Sequence, residues 1–284
     1  MTIEDGTIEE RALAAARAVA AEHGVACEDA EVLSAGSNVL VHMRPSPVVA
    51  RVMTGTVVLH DDPERWLRRE VGVTEFLAPT GLAVRPSPLI APGPFERDGL
   101  WMTFVELVEG RGHHEPLESG DDAKRFGRAL RELHEALAPY DGDLADFADL
   151  GRDIERLRRA LRPAAELSAE RIDSLGERLA ALRESLFDAS LQGQALHGDA
   201  SIGNLLRTPD GLLWNDFEDT FRGPVEWDVS GYLISLGWRG ADDAFVDRAL
   251  DAYGGLDREA LAPFTAGHQL YDEIWKAYDA QRRG

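Results

Sequence analysis

The stretch from His197 to Asp228, HGDASIGNLLRTPDGLLWNDFEDTFRGPVEWD, constrains the fold more than any other part of this chain. Two short apolar runs, Leu205-Leu206 and Leu212-Leu213-Trp214, flank Thr208-Pro209-Asp210-Gly211. Proline presets one turn dihedral and glycine admits a positive φ, so a tight β-hairpin is predicted. Asn204 stands at its entrance and Asp216 at its exit. A hairpin would bring these ends together and set an amide oxygen beside a carboxylate on a rigid support. Asp199 precedes Asn204 by five residues, in His197-Gly198-Asp199. Alone, an Asp after a strand is usually a turn residue or a cap. The three together, at this spacing, point to a shared chemistry.

That chemistry is phosphoryl transfer. Transfer from a nucleotide needs one carboxylate to orient the attacking hydroxyl, and an Asn with a second carboxylate to hold Mg²⁺ on the phosphates. His-x-Asp-x-x-x-x-Asn followed by Asp-Phe has the order and spacing of the protein-kinase catalytic loop and metal site. Here Asp199, Asn204 and Asp216 fill the three places, and Gly198 stands where a protein kinase has Arg. The segment resembles the aminoglycoside phosphotransferase family, also called the phosphotransferase enzyme family, of kinase-like proteins. The likeness is sharpest over residues 195–229 and collinear elsewhere. It implies Asp199 as the catalytic base, His197 as a scaffold for the loop, and Asn204 and Asp216 as Mg²⁺ ligands. The family's loop usually reads His-Gly-Asp-Leu-His-x-x-Asn, and Ala200 and Ser201 depart from it at supporting positions. Asp228 matches the family's Asp that follows the metal site, and is equally placed to cap the next helix.

Protein kinases place a long segment after the metal-binding Asp to present a polypeptide substrate. Only eleven residues separate Asp216 from Asp228 here, and Gly223-Pro224 leads straight into a helical run. A small-molecule acceptor is therefore expected rather than a protein.

Composition narrows the setting. A chain of 284 residues can bury a sizeable core in one domain or two lobes. The single cysteine, Cys27, excludes an intramolecular disulfide and fits a reducing cytoplasm. No basic-then-apolar leader opens the chain, and no apolar run approaches the roughly 20 residues that span a bilayer. The formal charge of −21 opposes contact with nucleic acid or anionic membranes and favours cationic ligands. Monomer and homodimer are both compatible with these features.

The expected fold class is α+β: a bilobal, protein-kinase-like fold. Its small lobe would hold an antiparallel sheet and one main helix, and its larger lobe would be mostly helical. A leading helix spans residues 7–23, followed by β-like runs at Glu31–Ala35, Val39–Met43 and Val48–Met53. Asp61-Asp62-Pro63 starts a helix to about Ala78, and further strands are expected at Pro88–Ala91 and Leu100–Val105. Helices follow from about Ser119, with Phe126, Leu130, Leu133 and Leu137 at spacings of three and four, then over 151–165 and 168–188. The lobes are expected to divide as 1–105 and 106–284.

The resemblance places the nucleotide parts in the small lobe. Arg51 stands where protein kinases carry the phosphate-binding Lys, and Glu70 on the following helix is its partner. Arg is always charged and forks well around phosphate, so the exchange is chemically tolerable. Ser37 and Asn38 lie in the turn that would cover the phosphates, although it has one glycine where kinases carry three. Phe104, Val105 and Glu106 belong to the strand and hinge that would hold the base of ATP or GTP.

For the acceptor, Glu218, Asp219 and Glu226 surround the metal motif, and Tyr271, Asp272 and Trp275 lie on the last helical run. Aromatic faces with carboxylates would suit an ammonium-bearing alcohol such as an aminoglycoside-like antibiotic or amino-sugar. The same residues could equally form a solvated face and a core face, so a neutral sugar or amino alcohol stays open. His113-His114 read as surface or lid residues and His134 as a packed, hydrogen-bonded histidine. Two rivals remain: a nucleotide-binding module without catalysis, and a hydrolase with paired carboxylates. The intact Asp199, Asn204 and Asp216 argue against the first. The Asn spacing and the Arg51–Glu70 pair argue against the second.

Overall fold

The computed structural model describes residues 7–56, 61–110, 117, 120–187 and 193–283; His113 and His114 lie outside them. The chain divides into two compact units, Met1–Arg111 with Leu206–Glu218, and Gly112–Leu205 with Asp219–Gly284.

The first unit opens with α1 (Ile8–Glu22), then β1 (Cys27–Ala35), β2 (Asn38–Pro45), β3 (Val48–Met53), α2 (Pro63–Leu77), β4 (Phe95–Arg97) and β5 (Leu100–Glu106). The five strands form one sheet in the order β1-β2-β3-β5-β4, every neighbour antiparallel. Thr7 caps α1 in a reciprocal capping box with Glu10, and Gly24 leaves it at φ +75°. Ala12, Ala15, Ala16, Val19 and Ala20 form the buried stripe of α1 and share a core with Val41, Ala50 and Phe104. Those three are register partners, so they share one sheet face. Period-two alternation then sends Leu40, Arg51 and Thr103 to the opposite face. Arg51 is thus aimed away from the apolar core and is partnered by Glu70 of α2.

Pro88–Ala91 is not a strand. The prolines at 86, 88 and 92 lack the N–H a ladder requires, and the segment makes a single bridge, Pro86 to Val105. The short strand beside β5 is Phe95–Arg97 instead.

The second unit carries α3 (Gly120–Leu137), β6 (Ala145–Asp146), α4 (Phe147–Ala160), α5 (Ala169–Ser185) and β7 (Gln194–Ala195). Phe126, Leu130, Leu133 and Leu137 are all buried, as their spacing predicts. Helix α4 begins four residues before the expected 151 and stops at Ala160, because Arg162-Pro163 forces the preceding chain to extend. The hairpin follows as β8 (Leu205–Thr208) and β9 (Gly211–Trp214), then β10 (Phe221–Gly223), α6 (Val225–Trp238), α7 (Asp243–Tyr253) and α8 (Arg258–Arg283). A small sheet, β6-β10-β7, leads the chain toward His197. Helix α6 buries Trp227, Asp228, Val229, Tyr232 and Leu236, on several sides of its axis. Gly127 of α3 has a packing reason: a Cβ there would lie 2.0 Å from the Ala249 carbonyl oxygen of α7.

The unit division departs from the expected 105/106 cut. Residues 206–218 group with the N-terminal unit, because Trp214 N–H donates to Leu82 O and Val84 N–H to Trp214 O, both at 2.8 Å. Those bonds join residues more than a hundred positions apart, which no local pattern reveals. Among the described residues no helix is long and apolar enough to cross a membrane.

Candidate active site

In the second unit, His197-Gly198-Asp199 follows β7 and runs into a single helical turn over Ile202–Asn204. Gly198 has φ +87°, and a Cβ on it would sit 1.9 Å from the Asp219 carbonyl oxygen. No other residue fits, which accounts for glycine at this place. Asp199 is exposed. Asn204 Nδ2 donates to Asp199 Oδ2 and to the Asp199 carbonyl, both at 2.9 Å. With its nitrogen committed, Asn204 has its amide oxygen left to offer. Ser235 Oγ accepts the Ile202 N–H at 2.9 Å and pins the turn to α6.

Asp228 is the loop's anchor. It lies fully buried inside α6, and accepts the backbone N–H of His197 at 2.8 Å and of Gly198 at 2.9 Å. His134 Nε2 lies 3.1 Å from Asp228 Oδ2, and His134 Nδ1 lies 2.9 Å from the Tyr253 hydroxyl. Burial and the nearby Asp228 charge raise the Tyr253 pKa, so the phenol donates to Nδ1 and the imidazole donates from Nε2 to Asp228. Burial opposes the Asp228 charge, but these donors outweigh it and hold the carboxyl below its ordinary range. Neither a cap nor a reacting group, Asp228 positions the two amides just before Asp199. Sequence reasoning found Asp228 but not this role, nor Tyr253.

The carbonyl side of the loop is held too: Trp227 Nε1 donates to Gly198 O at 3.0 Å. His268 of α8 stacks on Trp227 with ring centroids 3.7 Å apart, and its Nε2 lies 2.9 Å from the Trp227 carbonyl. Burial pushes the His268 pKa down to about 4, against that hydrogen bond. The folded state therefore favours the neutral ring. Stability present above the unfolded histidine value of about 6.5 is lost as pH falls toward 4, at most about 3 kcal/mol. Thermal unfolding of wild type and His268→Gln between pH 4 and 7 should show the shallower dependence in the variant. Identical slopes would remove His268 as the cause.

The first unit supplies a separate buried cluster. Arg51 Nη1 donates to Glu70 Oε2 at 3.1 Å, while Nη2 lies 2.7 Å from both Asp216 Oδ1 and Glu218 Oε2. Burial works against the guanidinium charge, but the three carboxylates outweigh it and hold Arg51 firmly protonated. Burial pushes Glu70 up to about 7 and raises Glu218, with Arg51 opposing both. Asp216 has φ +64°, a left-handed conformation uncommon outside glycine. Its neighbour Phe217 is buried. Asp216 Oδ1 is taken by Arg51, and Oδ2 has no partner among the described residues.

Among the described residues no group of three or more His, Cys, Asp or Glu forms a metal cage. Mg²⁺ does not need one, since it is commonly held by one or two carboxylates together with substrate phosphates. The donors here suit that mode. Asp216 is part-exposed with a carboxylate oxygen to spare, and it shares one guanidinium with two further carboxyl groups.

The model for the phosphotransferase enzyme family matches residues 37–264. The chain belongs to this family. It is a kinase-like, small-molecule phosphotransferase. Solved structures of the same fold include choline kinase LicA from Streptococcus pneumoniae, at 15% identity, TM-score 0.67, 94% of this chain and 91% of that one. Another is the GDP and kanamycin complex of APH(2")-IIia, at 14% identity, TM-score 0.66, covering 92% and 89%. Amicoumacin kinase hAmiN with AMP-PNP, Ca²⁺ and Ami matches at 15% identity, TM-score 0.68, covering 92% and 85%.

In the first unit, the Asn38 side chain is committed to other protein groups. It is buried; its Nδ2 lies 3.1 and 3.2 Å from the two Glu218 oxygens, and its Oδ1 accepts Thr54 N–H at 3.2 Å. Ser37 gives its carbonyl to Gly55 N–H at 2.7 Å. The hinge is also more committed than expected. Phe104 N–H donates to Pro92 O, Glu106 N–H to Arg85 O and Leu107 N–H to Pro47 O, and Phe104 O accepts from Ser87. Glu106 is bound side-on by Arg85 through two 2.9 Å bonds. Phe104 itself is fully buried.

The acceptor residues scatter. Glu218 is buried and spent on Arg51, Asn38 and Thr56, so it cannot greet an acceptor. Asp272 pairs with Lys276 one turn on at 2.6 Å, and Lys276 covers the Trp238 ring. Glu273 is taken by Arg171 and Arg178. Tyr271 and Trp275 are half-buried on α8, where Trp275 lies 6.0 Å from the Tyr278 ring. Asp219 and Glu226 are half-buried, and Glu226, in the first turn of α6, has no ion-pair partner among the described residues.

Proposed function

We propose that this phosphotransferase moves the γ-phosphoryl group of ATP or GTP to a hydroxyl of a small, amine-bearing alcohol, with Mg²⁺ as the metal. The single observation that carries the reading is the exposed Asp199 carboxylate, tethered by Asn204 on a loop whose two preceding amides are locked by Asp228. In this reading Asp199 accepts or orients the hydroxyl proton, and Asp216 and Asn204 offer oxygen ligands to the cation. When bound, the cation neutralises charge on the phosphates. Glu70 and Glu218 hold Arg51 in place, and Arg51 in turn holds one oxygen of Asp216. The half-buried hinge after Glu106 takes the base.

Choline and kanamycin, which name two of the neighbours, both carry positive nitrogen, and the chain's formal charge of −21 favours such ligands. Glu226, half-buried in the first turn of α6, has no ion-pair partner among the described residues and can face an ammonium group. An aminocyclitol acceptor would make this an antibiotic-modifying enzyme of the cytoplasm, and an amino alcohol would make it a metabolite kinase. A screen of amino-sugars, aminocyclitols, amino alcohols and neutral sugars for ADP or GDP release tests the reading. A thermal shift with Mg²⁺-ATP and Mg²⁺-GTP should accompany it. Absence of a nucleotide shift would leave no kinase. The KM of an amine-bearing acceptor should rise with salt, because screening acts over roughly 8 Å at physiological ionic strength. Glu226→Lys should raise that KM more than it lowers kcat. A neutral acceptor preferred at every salt concentration would count against the cationic class.

A further inference from the structure

The Arg51 guanidinium is engaged on both of its terminal nitrogens, by three carboxylates from two distant parts of the chain. A phosphate-gripping arginine offers those nitrogens in a fork. Here Nη1 is turned to Glu70, and Nη2 sits between Asp216 and Glu218. The residue that makes the difference is Glu218, two positions beyond Asp216. Its Oε2 takes Arg51 Nη2 at 2.7 Å and lies 3.1 Å from Thr56 Oγ1, and Asn38 Nδ2 lies within 3.2 Å of both its oxygens. Only 5% of its side chain is exposed. Asn38 also receives the Thr54 amide, so Glu218 ties the β1–β2 turn and the segment after β3 to the strand end that carries Asp216.

We propose that Glu218 is a positioning residue that converts Arg51 from a phosphate-binding group into a brace for Asp216. Three carboxylates share one guanidinium, so the cluster is rich in negative charge that a divalent cation on Asp216 would offset. The cluster is then built to bind metal strongly and bare nucleotide poorly. Nucleotide binding through this unit consequently depends on the cation rather than on Arg51. The inference rests on the kinase reading above, and it assigns to Glu218 a role in that reaction distinct from acceptor recognition.

Glu218→Gln keeps the shape and one acceptor oxygen for Arg51 and Thr56, and removes one charge. The affinity for Mn²⁺, titrated by electron paramagnetic resonance into protein with ADP, should fall about tenfold. The affinity for ADP in EDTA should rise a few-fold, because Nη2 is released and one repelling charge is gone. Opposite signs are the signature, since a merely structural role would weaken both. Thr56→Val, which removes one contact to Glu218 and leaves every charge in place, should weaken Mn²⁺ binding in the same direction but less. It carries the test if Glu218→Gln does not fold. Equal losses of metal and metal-free ADP affinity, or unchanged Mn²⁺ binding, would overturn the proposal. Wild-type protein that binds no ADP at all would instead overturn the kinase reading, so the two failures are distinguishable.

Discussion

Asp199→Asn should lower kcat by on the order of 10²–10⁴ while leaving nucleotide affinity within about twofold. The substitution is close to isosteric. Asn204 Nδ2 donates to Asp199 Oδ2 and to its carbonyl, and an amide oxygen can keep the first bond while the second is untouched. Asp199 is exposed, and the adjoining amides are held by Asp228, so the loop should keep its shape and the melting temperature should hardly move. What disappears is the charge that accepts or orients the hydroxyl proton. Steady-state kinetics with the best acceptor, alongside calorimetric titration of ADP, separates these quantities. Turnover within a few-fold of wild type would take Asp199 out of the catalytic role.

Asp216→Ala should abolish measurable turnover and erase the Mg²⁺-dependent part of nucleotide affinity. In wild type, nucleotide should bind more tightly with Mg²⁺ than with EDTA; in the variant the two affinities should coincide. The fold should survive, because Arg51 keeps Glu70 and Glu218 as partners after Asp216 is gone. Removing one of three carboxylates also relieves repulsion that, after burial and Arg51, contributes to the raised pKa values of Glu70 and Glu218. The melting temperature without metal should therefore stay level or rise. A variant that still binds Mg²⁺-nucleotide like wild type would show that Asp216 is not the ligand.

The two variants lie in different units of the chain, Asp199 in the second and Asp216 in the first. The catalytic loop is shaped by backbone anchors. Asp228, backed by His134 and Tyr253, fixes the amides before Asp199, and Trp227 fixes the Gly198 carbonyl. The cluster around Asp216 is shaped by charge. One guanidinium is shared among three carboxylates, so loss of Arg51 would leave buried carboxylates unpaired, whereas loss of Asp216 leaves Arg51 with two partners.

By itself the sequence determined what depends on near neighbours. The capped helix after Thr7, the strand Val48–Met53, the start of α2 at Asp62-Pro63 and the Pro-Asp-Gly hairpin are local events, governed by caps, alternation and turn dihedrals. The order His197, Asp199, Asn204 and Asp216 is a local pattern of the same kind, visible as spacing. Tertiary structure alone decided where those pieces attach. The hairpin groups with the N-terminal unit because Trp214 finds backbone partners at Leu82 and Val84. Glu218 looked like a surface acid facing a substrate, yet it is buried because Arg51, Asn38 and Thr56 meet it from far along the chain. Asp228 looked like a cap, yet it sits inside α6, where two loop amides and a histidine can all donate to it. A carboxylate's role follows from its donors, and donors more than a hundred residues away leave no trace in local pattern.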